Sequence, residues 1–267
     1  MARIRNISSK DNEQYRYVKS LHDRKTAERE GVVFLEGVRL CEDALISGLN
    51  PLMVLFSDEK QALVANWCER FSFPENTLML SMPEVLFCRL GSTKNPQGVA
   101  LVVQSPLLSG IIPARGSDLY LVCEGTADPG NLGTMIRMAD AFDFTAVLVT
   151  AGTVDPFNEK VLRASMGSCF HIPIAAYDSI DDICSELHKN GVQLIASHLK
   201  GEPLPEAVFS FPSALLIGNE ARGLTDACSG RCDILVKIPM PGKAESLNAA
   251  SAASILGYVL SSRRFVL

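Results

Sequence analysis

Five short apolar segments in the second half of the chain, Leu119–Cys123, Ala146–Thr150, Val192–Ala196, Ala214–Ile217 and Ile234–Ile238, restrict the possible folds more than any other feature. Apart from Thr150, Gln193 and Lys237, they are apolar at successive and not only at alternate positions. A strand of that kind needs cover on both faces, which is the situation inside a parallel sheet flanked by helices. The stretches between the segments carry helical periodicity, so the alternation predicts an α/β fold with a largely parallel sheet.

The first hundred residues repeat the alternation on a smaller scale. Val32–Leu35, Pro51–Phe56, Leu78–Leu80 and Val99–Val103 read as strands, and Asn12–Arg29, the residues from Gly37, Glu59–Arg70 and Met82–Leu90 read as helices. Between Ser105 and Ser117 the chain turns to Pro, Gly, Ser and Ala, with Pro106, Gly110, Pro113 and Gly116 as breakers. The expected organisation is therefore a small N-terminal α/β domain over 1–105, a linker over 106–117, and a second domain over 118–267.

With 47% hydrophobic and 21% charged residues, the 267-residue chain has the composition of a packed protein, not of a disordered or fibrous one. The opening Met-Ala-Arg-Ile-Arg-Asn has no apolar run behind it, and no stretch is long enough to span a bilayer, so neither secretory signal nor membrane anchor is read, and a cytoplasmic location is expected. The eight cysteines form no Cys-x-x-Cys pair and read as reduced, packed thiols. A zinc site from Cys169, His171, Cys228 and Cys232 lacks ligand spacing, and no metal is expected. The net charge of −5 argues against a nucleic-acid partner, but its distribution does not. Residues 1–30 carry eight basic side chains (Arg3, Arg5, Lys10, Arg16, Lys19, Arg24, Lys25, Arg29) against five acidic ones, a local +3 that leaves −8 for the remainder. On charge alone, a solvated amphipathic helix explains the cluster as well as an RNA contact does.

Three segments have polar residues spaced to converge at strand ends and helix starts, where α/β proteins hold ligands. In Asp128–Arg137, Asp128-Pro-Gly130 makes a turn, Asn131 occupies the expected N-cap, and Leu132, Met135, Ile136, Ala139 and Phe142 share a helical face that Arg137 leaves. Arg137 can pair with Asp140 three residues on, or grip a phosphate. In Ile217–Gly223, Gly218 permits close backbone approach at a strand end and Glu220 follows it. The third segment leaves a strand at Ile238-Pro239 and enters a helix at Ser246-Leu247-Asn248, with Ser246 as a possible plain N-cap. The last helix carries Ala250, Ala253, Ser254, Gly257 and Tyr258 as a small-residue stripe, suited to packing under the sheet or to a tight subunit interface. Gly-x-Gly-x-x-Gly, P-loop and Gly-x-Ser-x-Gly signatures are absent, which weakens dinucleotide, P-loop and hydrolase readings.

Asn131-x-Gly-x-x-x-Arg137, Ile217-Gly-x-Glu220-x-x-Gly223 and Ile238-Pro-Met240 through Ser246-Leu-Asn248 resemble the three motifs of the SpoU/TrmH family of SPOUT RNA ribose 2′-O-methyltransferases. Arg163-Ala-Ser-Met-Gly167 also looks like that family, and Val33-Phe-Leu-Glu-Gly37 with Pro96-Gln-Gly98 resembles its N-terminal substrate-binding domain, so the likeness spans nearly the whole chain. The resemblance implies a SPOUT domain with a C-terminal trefoil knot, S-adenosyl-L-methionine as cofactor contacted by Gly218, Ile238 and Leu247, and a homodimer. It implies Arg137 as the residue activating the 2′-hydroxyl, with Asn131, Glu220, Ser246 and Asn248 as further site residues that orient Arg137 and the ribose. Guanidinium stays protonated, so phosphate gripping and electrostatic support are equally open roles for Arg137. A full N-terminal domain tilts the substrate toward ribosomal RNA. Transfer RNA, a non-catalytic RNA-binding role in ribosome assembly, and a nucleotide-dependent enzyme using the Asn131 helix start are the alternatives.

Overall fold

The computed structural model describes residues 4–91, 95–110 and 114–264. Arg3 of the basic cluster and Pro113 of the expected linker lie outside them. The chain divides into two compact units, Met1–Ser105 and Pro106–Leu267.

The first unit runs β1 (Ile4–Asn6), α1 (Glu13–Ser20), α2 (Arg24–Glu30), β2 (Val32–Glu36), α3 (Val38–Ile46), β3 (Pro51–Ser57), α4 (Gln61–Arg70), β4 (Leu78–Met82), α5 (Glu84–Leu90) and β5 (Val99–Gln104). Its sheet has the order β1-β4-β3-β5-β2, with β5 antiparallel to both neighbours and the remaining pairs parallel. The helix expected over Asn12–Arg29 is two helices. Asp23 ends the continuity because its carboxylate accepts from the Thr26 N–H at 3.0 Å and the Thr26 hydroxyl at 2.9 Å, starting α2 afresh. The helix expected from Met82 begins at Glu84, because Pro83 cannot extend the strand ladder and suits a helix start.

The second unit runs β6 (Leu119–Cys123), α6 (Pro129–Ala141), β7 (Ala146–Thr150), α7 (Glu159–Ser165), β8 (Ile174–Tyr177), α8 (Ile180–Lys189), β9 (Gln193–Pro203), β10 (Ser213–Ile217), α9 (Asp226–Ser229), β11 (Ile234–Lys237) and α10 (Ala249–Arg264). Its sheet has the order β11-β9-β10-β6-β7-β8, and every pairing is parallel. The central strands β6, β7 and β10 are buried at every residue, as fully apolar strands require. Burying each Val, Leu or Ile there contributes about 1.5–3 kcal/mol. The segment from Pro106 belongs to this unit: Leu108 donates its N–H to Ile174 O at 2.8 Å and accepts from Ala176 N at 3.2 Å. β9 is longer than expected because its pairing with β11 breaks and resumes, Leu235 facing Ala196 and Val236 facing Glu202. Residues 197–201 leave the ladder between these points.

Two helix contacts position the motif residues. Gly133 on α6 lies against α7 so closely that a Cβ there would sit 2.5 Å from Ala164 Cβ and 2.7 Å from Val161 O. The small residues of α10 pack inward: Ala250, Ala253 and Gly257 are buried, and a Cβ on Gly257 would meet Met138 Sδ of α6 at 2.5 Å. Tyr258 does not join them. It remains 60% exposed, edge-on to Phe142.

Candidate functional site

α6 starts on Asp128, not Asn131. The Asp128 carboxylate accepts from the Asn131 N–H at 2.8 Å and Pro129 fills the first turn, where its missing N–H costs nothing. The Asn131 side chain is thereby released from capping and spans the other two motifs. Its Nδ2 donates to Glu220 Oε1 at 3.0 Å, and its Oδ1 accepts from Asn248 Nδ2 at 2.8 Å. Asn248, not Ser246, caps α10, its Oδ1 accepting from the N–H groups of Ala250 at 2.9 Å and Ser251 at 3.1 Å. An amide at that position caps the helix through its oxygen and keeps its nitrogen free to reach Asn131, which a serine hydroxyl is too short to do.

Glu220 also accepts from the N–H groups of Ala127 at 3.2 Å and Asp128 at 3.3 Å. Burial pushes its pKa up, but the hydrogen bonds from Asn131 and the backbone outweigh that and hold the carboxyl below its ordinary range. Glu220 is therefore an anion at neutral pH, and it fixes the orientation of the Asn131 amide. Asn219 secures the same loop, donating to Gly125 O at 2.8 Å and accepting from the N–H groups of Ala221 and Arg222. The loop doubles back so tightly that a Cβ on Gly218 would lie 2.1 Å from Gly223 C and Leu224 N. Only glycine fits there.

A groove of about 440 Å³ opens beside this network. Gly218, Ile238, Ser246 and Leu247 line it together with Glu220 and Met240, and residues 197–200 from the interruption of β9 form a further wall. Its volume lies in the range of small-molecule sites. Apolar walls at Leu199, Ile238, Met240 and Leu247, with polar groups at Ser197, Asn219, Glu220 and Ser246, suit a ligand that joins a flat heterocycle to a hydroxylated sugar and a charged tail.

Arg137 stands apart. It lies on the exposed stripe Gly130–Thr134–Arg137 of α6 and does not line the groove. The ion pair with Asp140 does not form, because Asp140 Oδ2 meets His171 Nδ1 at 3.0 Å instead. Among the described residues the Arg137 guanidinium has no ion-pair or hydrogen-bond partner. Seven of the eight motif residues thus gather around the groove and its bordering network, and the eighth is a free cation on an outer face.

Asn219 and Glu124 were not singled out from the sequence, and Asp128 was read there as part of a turn and not as the cap. Asp128-Pro129 carries a readable N-cap signal and Asn219 a readable turn signal. Glu124 carries none: it takes the Thr225 hydroxyl at 2.7 Å and N–H at 3.0 Å from across the sheet, 101 residues away. No group of three or more His, Cys, Asp or Glu side chains among the described residues is placed to hold a metal ion.

The model of the SpoU rRNA methylase family matches residues 118–258. The chain belongs to that family. The model of the MRM3-like substrate binding domain matches residues 12–101. The 23S rRNA (guanosine(2553)-2′-O)-methyltransferase RlmP of Bacillus subtilis is 36% identical, the match covering 96% of this chain and 99% of the relative. The 23S rRNA (uridine(2479)-2′-O)-methyltransferase of Streptomyces viridochromogenes is 30% identical over 95% of this chain and 91% of its own length. Among solved structures, the AdoMet-bound rRNA methyltransferase from Sinorhizobium meliloti superposes with a TM-score of 0.84 at 29% identity, covering 98% of both chains. The SpoU methyltransferase AviRb from S. viridochromogenes in complex with AdoMet gives 0.84 at 29% identity, over 95% of this chain and 98% of its own.

Proposed function

We propose that this SpoU-family chain transfers a methyl group from S-adenosyl-L-methionine to a ribose 2′-hydroxyl of ribosomal RNA. The observation that carries the reading is the Glu220–Asn131–Asn248 hydrogen-bond chain, which ties the three motif segments together beside the 440 Å³ groove. Two full-length relatives named as 23S rRNA 2′-O-methyltransferases and two AdoMet-bound neighbours support it.

When bound, the cofactor supplies an electrophilic methyl on a sulfonium centre. Gly218, Ile238 and Leu247 hold it, the first by letting the end of β10 come close and the other two through apolar contact. Glu220 and Asn248 fix both ends of the Asn131 amide, and Ser246 presents a hydroxyl to the groove. Arg137, always protonated, grips a phosphate beside the target ribose and stabilises the charge that develops on O2′ as its proton passes to solvent water. Since Arg137 does not line its own chain's groove, the active form is a homodimer in which a second copy brings it there, and the exposed Ile255 and Tyr258 of α10 suit the contact. The segment from β11 through residues 238–248 into α10 is the knotted part of the fold. The N-terminal unit supplies RNA affinity, in line with its substrate-binding-domain match. Eight free thiols suit a reducing cytoplasm.

The test is incubation of the full chain with methyl-labelled S-adenosylmethionine and separate pools of unmodified ribosomal and transfer RNA, followed by location of the label on an alkali-resistant ribose linkage. Label in the ribosomal pool is expected. Label confined to transfer RNA overturns the substrate assignment. Tight cofactor binding with no transfer to either pool overturns catalysis in favour of an RNA-binding role in ribosome assembly.

A further inference from the structure

A second cavity, of about 260 Å³, shares the Asn219–Leu224 loop with the cofactor groove. It opens where β6, β7 and β8 end, bounded by Gly125, Thr150 and Asp178, a position where open α/β sheets bind ligands. Ala151, Ile180 and Leu224 give it apolar walls. Two opposite charges line it, Asp178 and Arg222, the latter also on the wall of the groove, and neither has an ion-pair or hydrogen-bond partner for its side chain among the described residues. The nearby Arg231 and Asp181 do pair, at 2.8 Å, so unpaired charges are not general in this region. The backbone of Arg222 is itself anchored, its N–H donating to Asn219 Oδ1 at 3.2 Å. Glu124, also in the wall, is committed to Thr225.

A small, partly apolar cavity with one free carboxylate and one free guanidinium suits a planar ring that offers donors on one side and acceptors on the other. The carboxylate disfavours a phosphate. It accepts two N–H groups at once, and a guanidinium donates two. Guanine matches both, with N1–H and N2–H₂ for Asp178 and the O6 and N7 acceptors for Arg222. Uracil offers a single ring N–H between two carbonyls, and adenine has no carbonyl for the guanidinium. We propose that this cavity takes a guanine base of the substrate RNA. The proposal rests on the methyltransferase reading for the identity of the RNA, and the shared loop places the base pocket wall to wall with the cofactor groove.

The test uses the full chain, Asp178→Asn, which puts an amide donor against the guanine N–H groups, and Ala151→Trp, which fills the cavity from an exposed position. Ribosomal RNA transcripts carrying 6-thioguanosine or 4-thiouridine are crosslinked to each protein and the attached peptides mapped, and methyl transfer and cofactor affinity are measured in parallel. The expected result is a 6-thioguanosine crosslink within residues 178–180 or 219–225, lost in both variants. With it should come a fall of about tenfold or more in kcat/KM for RNA at unchanged cofactor affinity, as follows when a pocket's polar groups lose their match. A wild-type chain that methylates while both variants methylate equally well overturns the pocket. Crosslinks at these peptides from 4-thiouridine alone overturn guanine. A wild-type chain that makes the 6-thioguanosine crosslink without transferring methyl overturns the catalytic reading and supports the pocket.

Discussion

Asn131→Asp tests whether the bridge between the motifs is held by hydrogen-bond polarity or by shape alone. The substitution is isosteric and keeps the acceptor that Asn248 uses at 2.8 Å, but it replaces the donor facing Glu220 at 3.0 Å with a carboxylate oxygen. A hydrogen bond to a charged acceptor disappears, worth about 1.5–3 kcal/mol. Two like charges about 3 Å apart add roughly 1.4 kcal/mol at the dielectric of water and several times that in a drier site. Glu220 is solvent-exposed, so the value near water applies, and the two terms together come to about 3–4 kcal/mol at most, less as salt screens the pair. Glu220→Gln alone should cost about 1 kcal/mol, since one oxygen then serves the N–H groups of Ala127 and Asp128. In the double variant the new amide at position 220 donates to the new carboxylate at position 131, while its oxygen still accepts from the backbone. It should be no less stable than Glu220→Gln, so the coupling equals the whole cost of Asn131→Asp, about 3 kcal/mol. Urea unfolding followed by far-ultraviolet circular dichroism reads this, whereas the fluorescence of Trp67, buried in the first unit, would miss it. Additive effects, with coupling under about 0.5 kcal/mol, would refute the role of polarity.

Arg137→Ala should leave cofactor affinity within about twofold and abolish methyl transfer, the pattern of a group acting mainly in the transition state; retained turnover measured with labelled cofactor removes it from the site. Mixing Arg137→Ala with a chain whose groove is filled by Leu247→Trp, at a groove-lining position that is partly exposed, should regain part of the activity if Arg137 serves a partner's groove, and no regain counts against the dimeric site. Because the Glu220 pKa is depressed in the folded chain, its contribution is present above its unfolded value of about 4.5 and is lost as pH falls through the lower folded value. Acid titration of Glu220→Gln should accordingly show a shallower loss of stability below pH about 4.5 than wild type, and parallel curves would contradict it. Reversing Arg24, Lys25 and Arg29 should weaken RNA binding and flatten its salt dependence by about one unit of slope for each phosphate no longer neutralised, by filter binding across salt. An unchanged slope would assign these residues to the solvated helix face, where Arg24 pairs with Glu28 at 2.6 Å and Arg29 with Glu30 at 3.1 Å.

The parallel sheet was legible because fully apolar strands tolerate few environments, and β6 and β7 begin and end at the residues their composition marks. β8 was not, since Ile174–Tyr177 is short and its neighbours include a proline. Helix starts failed in an informative way. Asp128, Asn131, Ser246 and Asn248 are all competent caps by type, and local chemistry cannot say which of them spends its side chain on the helix and which on another segment. That choice is set by partners 89 and 117 residues distant in sequence.

The motif residues also differ in what holds them. Asn131, Glu220 and Asn248 are engaged by the fold on both sides, so their chemistry is to keep three chain segments in register. The side chains of Arg137, Asp178 and Arg222 have no partner among the described residues, and a charged side chain left free by its own chain is available to an RNA or a second copy. Asp178 and Arg222 share one cavity, while Arg137 lies away from the groove on the outer stripe of α6. The fold therefore supplies a rigid frame around the cofactor groove, with Arg222 on its wall as well as on that of the second cavity, and leaves Arg137 and Asp178 at surfaces where substrate can arrive. This is why the network should respond to mutation in stability, and the free charges in RNA-dependent kinetics.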